Sequence, residues 1–337
     1  MGILMKTLVT GGGGFIGDFL CKKIYKNGWN VRILDIKEKT NFSKEFDTFN
    51  YIQGNILDYS TVLQTIKGND LIIHLAAKHR FFGISEDEFY QVNVVGTENI
   101  LKAMSETGIN KIVFFSSVAV YGDQNIPTDE NTIPKPNTIY GSTKLEAEKL
   151  IKKWVSEKTG RCALIIRPTV VFGPKNKGNV YRLIRQIARH LFFPIGMGDN
   201  VKSTAYIENM IDVTLFLINK GFDGVEIYNY ADEPSISFKE FTNLIYKLLG
   251  RPVPKYSLPV NPILNAMVPF EFLLKVLKID FPITAAISKM NKTTQHNANK
   301  VRNAGFRQIY SSEEGLTRTI QWYKSNKREK GYNSYDN

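Results

Sequence analysis

The chain has 337 residues, 43% of them hydrophobic and 12% aromatic, which excludes a disordered polymer and is ample for a real core. Its 44 Lys and Arg against 32 Asp and Glu leave a formal charge of +12, and its two cysteines exclude a disulfide scaffold and a four-cysteine zinc site, so no metal is expected and a reducing, cytoplasmic setting is. There is no apolar run of about 18 residues to span a bilayer, and the opening MGILMKTLVTGG lacks the basic, apolar, small-residue order of a signal peptide.

Apolar runs suited to buried parallel strands fall at 6–10, 31–35, 70–75, 111–115 and 162–167, with helical patterns at 15–27, 58–66, 88–107 and 141–159 between them. This alternation predicts an α/β fold, a Rossmann-type doubly wound parallel sheet, with residues 1–167 as the dinucleotide-binding domain. Beyond Arg167 ten prolines, from Pro168 to Pro282, punctuate short elements. Residues 168–323 are therefore expected to form mainly a smaller α/β substrate subdomain, with some segments returning to the sheet, and 324–337 a polar tail. Charge follows the same division. Residues 1–160 carry 19 basic and 18 acidic side chains, and 161–337 carry 25 and 14, so the excess lies in the half expected to bind substrate. Such a field suits nucleic acid, an anionic membrane surface or a diphosphate; the plainer reading is a solvated lysine-rich surface.

Residues 8–17 read LVTGGGGFIG. Glycines at 11, 14 and 17 let the chain turn off the strand, approach a pyrophosphate and pack helix on sheet, while Phe15 and Ile16 open a helix whose N–H groups face the diphosphate. Asp35 follows Gly17 by 18 residues, at the end of the next strand. A carboxylate there accepts from the ribose hydroxyls and repels a 2′-phosphate, so NAD is favoured over NADP, a choice weakened by Lys37 and Lys39 nearby. Further cofactor contacts are expected from Asn55 and Ile56 in the NILD stretch after a third strand, from Leu75, Ala76 and Ala77 closing the fourth, and from Pro168. His74 reads as a core histidine.

The chemistry is expected from SSVAVYG, which carries Ser117 at the end of the fifth strand, and from YGSTK, which opens a helix with Tyr140 and Lys144 on one face. A free phenol titrates near 10; the Lys144 ammonium, with NAD⁺ nearby, is expected to lower it by about 3 units so that Tyr140 serves as general acid and base. Ser117 would hydrogen-bond the same substrate oxygen.

TGGGGFIG, LD at 34–35, HLAA, NVVGT at 93–97, SSVAVYG, YGSTK and RPTVVFG together resemble the extended short-chain dehydrogenase/reductases of the sugar epimerase/dehydratase group, over about residues 6–175. The resemblance implies the triad Ser117–Tyr140–Lys144 at the nicotinamide, Lys144 also on its ribose, Asn93 helping to hold the catalytic helix, and a homodimer through the helices at 88–107 and 141–159. Dehydratases of the group show an Asp-Glu pair where this chain has Val118-Ala119, which leaves epimerisation or keto/hydroxyl redox. Val170 stands where many nucleotide-sugar enzymes have an Asn, and Lys202 at the usual diphosphate-binding Arg. The stretches AAKHR (76–80), KGNVYRLIRQIA (177–188), VKSTAYIENMID (201–212), EIYNYAD (226–232) and TTQHNANKVRNAGF (293–306) are similar to the branch that epimerises C4 of N-acetylglucosamine on undecaprenyl diphosphate, with tightly retained NAD.

Substrate candidates are His79, Arg80, Ser117, Asn179, Lys202 and Ser203, for a sugar diphosphate on a lipid or nucleotide carrier. Arg182, Arg185 and Arg189 make a basic helical face read as solvated. Residues 256–283 mix apolar clusters with Lys275 and Lys278, which fits either a membrane-interface segment or a proline-broken helix packed on the core. Two alternatives stand beside epimerisation: a 4-keto-sugar nucleotide reductase using the same triad, and a non-catalytic Rossmann module that regulates or binds nucleic acid. The second has no need of Tyr140 and Lys144 behind Ser117 and finds no RNP-like or helix-turn-helix motif, so nucleic acid is not an expected partner. Peripheral contact with the inner face of the cytoplasmic membrane is.

Overall fold

A computed structural model describes residues 5–38, 47–79, 84–124, 126–276 and 283–329. Its frame is one seven-stranded parallel sheet in the order β3-β2-β1-β4-β5-β6-β9. The strands are β1 (Lys6–Thr10), β2 (Asn30–Asp35), β3 (Asn50–Gln53), β4 (Leu71–His74), β5 (Lys111–Phe115), β6 (Cys162–Pro168) and β9 (Val225–Tyr230). Successive side chains on the inner strands point to opposite faces, and both faces are covered. Val9, Ile33, Ile73, Val113 and Leu164 join one core with Leu20 and Ile24 of α1 (Phe15–Lys26) and Met210 and Leu217 of α7 (Ile207–Lys220). Leu8, Leu34, Ile72, Ile112 and Ile165 join a second core with α2 (Tyr59–Ile66), α4 (Gly96–Thr107) and α5 (Ile139–Ser156). Burial on both sides is why these strands read as near-continuous apolar runs.

Several boundaries differ from the sequence reading. β3 is a four-residue edge strand with exposed ends, too short and too polar to register as an apolar run. The helix expected at 88–107 begins earlier, as α3 (Glu86–Tyr90) under a Ser85–Glu88 capping box, and passes through a π-helical segment at Gln91–Val95 before α4. α5 starts at Ile139, capped by the Thr138 hydroxyl, so Tyr140 lies inside its first turn. β6 runs on to Pro168, and β9, from the second half, pairs with all of it from Ala163↔Val225 to Pro168↔Tyr230.

The second half adds the short parallel pair β7 (Val170–Phe172) and β8 (Thr204–Tyr206), and the helices α6 (Asn179–Ala188), α8 (Phe238–Leu249), α9 (Val260–Val276), α10 (Ile283–Asn291), α11 (Asn299–Asn303) and α12 (Ser312–Glu329). α12 continues past residue 324, where a polar tail was expected. Among the described residues no helix is long and apolar enough to cross a membrane.

The strand order reverses between β1 and β4, and in such sheets ligands enter at the carboxyl ends beside that point.

Candidate active site

β1 delivers the chain into the glycine loop at this switch point. Gly11 has φ +71°, and a Cβ there would stand 2.6 Å from the Ala76 nitrogen, so the loop passes the β4 exit with no side chain between them. At Gly17 a Cβ would lie 2.5 Å from the Gly12 carbonyl oxygen, which is how closely α1 seats on the loop. Gly14 is the N-cap of α1 and brings no side chain to it, leaving the first-turn N–H groups of Phe15, Ile16 and Gly17 at the positive end of the helix. Asp35 closes β2 over this loop: its Oδ2 accepts from the Gly13 N–H at 2.9 Å and its Oδ1 from the Lys37 N–H at 3.0 Å. The Lys37 ammonium donates to the Gly13 carbonyl at 2.8 Å; Lys39 lies outside the described residues. A side-chain-free cradle, an open helix start and a carboxylate on the loop fit an adenine dinucleotide.

The other expected cofactor residues lie at or just beyond the carboxyl ends of β3, β4 and β6. The Leu75 N–H donates to the Thr10 carbonyl at 3.0 Å, so Leu75–Ala77 leave β4 alongside Gly11. Ile56 is buried and Asn55 exposed, its Oδ1 accepting from the Leu57 N–H at 3.0 Å. Asp58 caps α2 through Ser60 and Thr61 and is committed to that helix. Pro168 is buried at the end of β6.

His74 is a core residue. Thr97 Oγ1 donates to the Asn93 carbonyl at 2.7 Å and so accepts from His74 Nε2 at 3.1 Å, which leaves Nδ1 to accept from Thr10 Oγ1 at 2.6 Å. Burial, with Lys144 nearby, holds its imidazole down at about 3, neutral at physiological pH.

The residues expected to react come together where β5 and α5 meet. Ser117 caps a 3₁₀ turn (Val118–Tyr121), its hydroxyl accepting from the Ala119 N–H at 3.1 Å. Gly141 lies directly against the Ala119 carbonyl, a contact that a side chain would block, so the first turn of α5 sits on the Ser117 turn. The Tyr140 phenol then hydrogen-bonds the Ser117 side chain. One turn on, Lys144 is buried with its ammonium donating to the Phe115 carbonyl at 2.6 Å and lying 4.4 Å over the Phe114 ring. Asn93, in the π-helical segment, is buried and ties the segment after β4 to α5. It accepts from the Lys78 N–H (2.8 Å) and donates to the Lys78 carbonyl (3.1 Å) and to Thr143 Oγ1 (3.0 Å).

The electrostatics depart from the sequence reading. Burial pushes the Tyr140 phenol up to about 12, with the Ser117 hydrogen bond pulling the other way, and burial pulls Lys144 down to about 7, opposed by Glu148. Both groups share one poorly solvated pocket, which disfavours the charged form of each. Spacing alone suggested a depressed phenol; in the protein itself burial sets both values.

The expected substrate residues are spread more widely. Ser203 is buried, its hydroxyl accepting from the His296 N–H at 3.0 Å, and Lys202 donates to the Lys289 carbonyl at 2.8 Å. Burial lowers the Lys202 ammonium to about 8, with Lys289 and Lys292 adding to the shift and Asp123 opposing it. His79 is exposed beyond β4 and Asn179 exposed at the start of α6; Arg80 lies outside the described residues. Val170 is exposed, as are Arg182 and Arg189, while Arg185 is half-buried. Lys289 and Lys292 were not foreseen, because nothing local marks a lysine on α10 as a neighbour of residue 202. Nor were Tyr121 and His296, whose rings stack at 6.0 Å.

The pattern of the 3-beta hydroxysteroid dehydrogenase/isomerase family matches residues 8–260. The chain is 34% identical over 317 residues, 94% of each sequence, to the N-acetyl-alpha-D-glucosaminyl-diphospho-ditrans,octacis-undecaprenol 4-epimerase of Escherichia coli O157:H7. Among solved structures, a UDP-glucuronic acid 4-epimerase from Bacillus cereus in complex with NAD superposes with a TM-score of 0.77 at 23% identity, covering 97% of this chain and 99% of its own. A UDP-N-acetylglucosamine 4-epimerase from Methanobrevibacter ruminantium M1, in complex with UDP-N-acetylmuramic acid, gives 0.76 at 21% identity, covering 96% and 99%. These likenesses place the fold.

Proposed function

Because the chain belongs to the 3-beta hydroxysteroid dehydrogenase/isomerase family of extended short-chain dehydrogenase/reductases, we propose that it is an NAD-dependent sugar 4-epimerase. Its substrate in this reading is an N-acetylhexosamine on a lipid diphosphate, with GlcNAc- and GalNAc-diphospho-undecaprenol interconverted through a 4-keto sugar. The observation that carries the reading is the meeting of Ser117, Tyr140 and Lys144 at the carboxyl edge of the sheet, on a chain 34% identical to a relative named for that reaction.

The residues from Gly11 to Gly17, with Asp35, hold the dinucleotide, and Lys144 and Asn93 stand at the far end of the same cleft. NAD⁺ held there would supply reversible hydride acceptance from C4, so that epimerisation involves no net redox. Ser117 and Tyr140 share a hydrogen bond, so both can engage one substrate oxygen, the C4 hydroxyl. Tyr140 takes its proton as the hydride leaves and restores it when the hydride returns. The Lys144 ammonium stabilises the phenolate that this requires. Val118 and Ala119 offer no acid or base to expel water from C5–C6, so the keto sugar turns over without elimination.

Lys202 and Ser203 are assigned to the diphosphate, with His79, Arg80 and Asn179 as further contacts. The carrier is read as a lipid from apolar surface elsewhere on the second half. A cavity of about 390 Å³ lined by Phe192, Phe193, Pro194, Tyr246, Pro254 and Tyr256 opens on the second half, with Tyr256 88% exposed. Exposed Val268, Phe270 and Phe272 on α9 extend the apolar surface. Together with the positive charge of residues 161–337, this suits a polyprenyl tail at an anionic bilayer surface. Pairing of two copies through α4 and α5 belongs to the same reading.

Purified protein incubated without added cofactor should convert GlcNAc-diphospho-undecaprenol to its C4 epimer, and convert UDP-GlcNAc poorly. Turnover seen only with a 4-keto sugar and added NADH or NADPH would overturn the epimerase reading in favour of a reductase.

A further inference from the structure

The most elaborate polar cluster in the core lies behind the triad. Glu148, one helical turn beyond Lys144 on the same face of α5, is completely buried. Its Oε1 accepts from Ser116 Oγ at 2.6 Å and from Arg167 Nε at 2.8 Å, and its Oε2 from the second guanidinium edge at 2.5 Å. Arg167, 1% exposed on β6, donates its remaining terminal nitrogen to Tyr121 Oη at 2.8 Å, and Tyr121 donates to Asn229 Oδ1 at 2.8 Å.

Lys144 and Glu148 thus grip consecutive residues at the end of β5: the Phe115 carbonyl and the Ser116 hydroxyl. Ser117 comes next. These two anchors set the register in which α5 presents Tyr140 to Ser117. The groups facing Lys144 and Glu148 from neighbouring elements are His74 on β4, Arg167 on β6, Tyr121 in the 3₁₀ turn and Tyr140 on α5 itself. His74 is neutral, so the Glu148 carboxylate is the negative charge beside the ammonium. The Arg167 fork meets both oxygens of the Glu148 carboxylate, a bidentate, charge-assisted pair that fixes the side chain's orientation.

We propose that Glu148 is a positioning residue for the reaction: clamped by Arg167, it stands as the counter-charge of Lys144 and locks the Tyr140–Lys144 face of α5 onto Ser116 and Ser117. The inference rests on the assignment of Tyr140 and Lys144 as the reacting pair.

The test compares pH profiles of C4 epimerisation for the wild type, Glu148→Asp and the doubly neutral Glu148→Gln/Arg167→Gln, which removes the Glu148–Arg167 ion pair as a unit. Circular dichroism confirms folding of each. For the double variant kcat at pH 7 should fall at least tenfold, KM should change less than twofold, and the alkaline limb of kcat should move to lower pH by about one unit as Lys144 loses its counter-charge. Glu148→Asp, which withdraws the carboxylate by one methylene, should move the limb the same way by less. A double variant with wild-type kcat and an unmoved limb overturns the proposal; should it not fold, an unmoved limb in Glu148→Asp does. Tyr140→Phe run in parallel separates the two levels. If Tyr140→Phe is inactive while the Glu148 variants behave as wild type, the positioning role fails alone; if Tyr140→Phe is fully active, the reading of the triad fails with it.

Discussion

Replacing Asn93 by Ala removes the clamp between the segment after β4 and the catalytic helix. Three hydrogen bonds go at once, two to the backbone of Lys78 and one to Thr143 Oγ1, from a side chain only 2% exposed. At about 1 kcal/mol net for each, the cost is about 3 kcal/mol. For a chain of 337 residues, with an unfolding entropy of about 2.1 cal/mol/K per residue, that lowers the melting midpoint by about 4 °C. Thr143 lies between Tyr140 and Lys144, so the same change loosens the turn that carries both. Scanning calorimetry and initial-rate epimerase assays on the purified variant read the two effects, with kcat expected to fall about tenfold and KM to move little. Thr143→Val breaks one of the three bonds together with the donation from Thr143 Oγ1 to the Tyr140 carbonyl at 3.1 Å, so it should cost about two-thirds as much stability. A variant melting within 1 °C of the wild type at undiminished kcat would refute the assignment of Asn93 as the clamp.

Tyr140→Phe should abolish C4 epimerisation with an unchanged circular dichroism spectrum; residual activity above a few per cent of wild type would remove Tyr140 as the proton carrier. Gly11→Ala forces a Cβ to within 2.6 Å of the Ala76 nitrogen at φ +71°, so NAD affinity measured by titration calorimetry should drop at least tenfold, and undiminished affinity would show that the loop does not hold the dinucleotide. The Lys202 ammonium is lost as pH rises through about 8, so KM for the diphosphate substrate should climb above that pH. Lys202→Arg stays charged and should flatten the climb, and an identical climb in the variant would exclude Lys202 as its source. His74, lowered to about 3 by burial, titrates near 6.5 when unfolded. The unfolded chain therefore binds the extra proton first, and stability falls as pH drops from 6.5 towards 3, by about 1.4 kcal/mol per unit. His296, also lowered, acts in the same direction, while Asp232, raised to about 7, acts in the opposite one. The difference between the wild type and His74→Gln in urea melts at pH 7 and pH 5 isolates His74; an equal slope in both would show that the imidazole is not buried neutral.

Much of the site was legible because its determinants are local. The turn at Gly11 needs a positive φ, and the start of α1 needs an N-cap without a side chain; both are properties of one or two residues. Tyr140 and Lys144 share a face because helical geometry puts positions four apart together. The buried strands announce themselves because both faces of the sheet are covered. What escaped was short or distant in sequence. β3, expected ahead of Asn55, has four residues with exposed ends, too little for a pattern that would give its bounds, and β9 joins β6 across some sixty intervening residues. Lys289 reaches Lys202 only because the segment after α10 pairs with residues 200–203.

The glycine loop, the spacing of Ser117, Tyr140 and Lys144 and the parallel sheet could be read from residue type and spacing, since each is specified within a short window. What surrounds them emerges only on packing. The charge states of Tyr140 and Lys144 depend on burial, with Glu148 acting on Lys144, and Glu148 is in turn paired with Arg167, brought from β6. Charge state follows from dielectric and neighbours in space, and those exist only once the chain has packed.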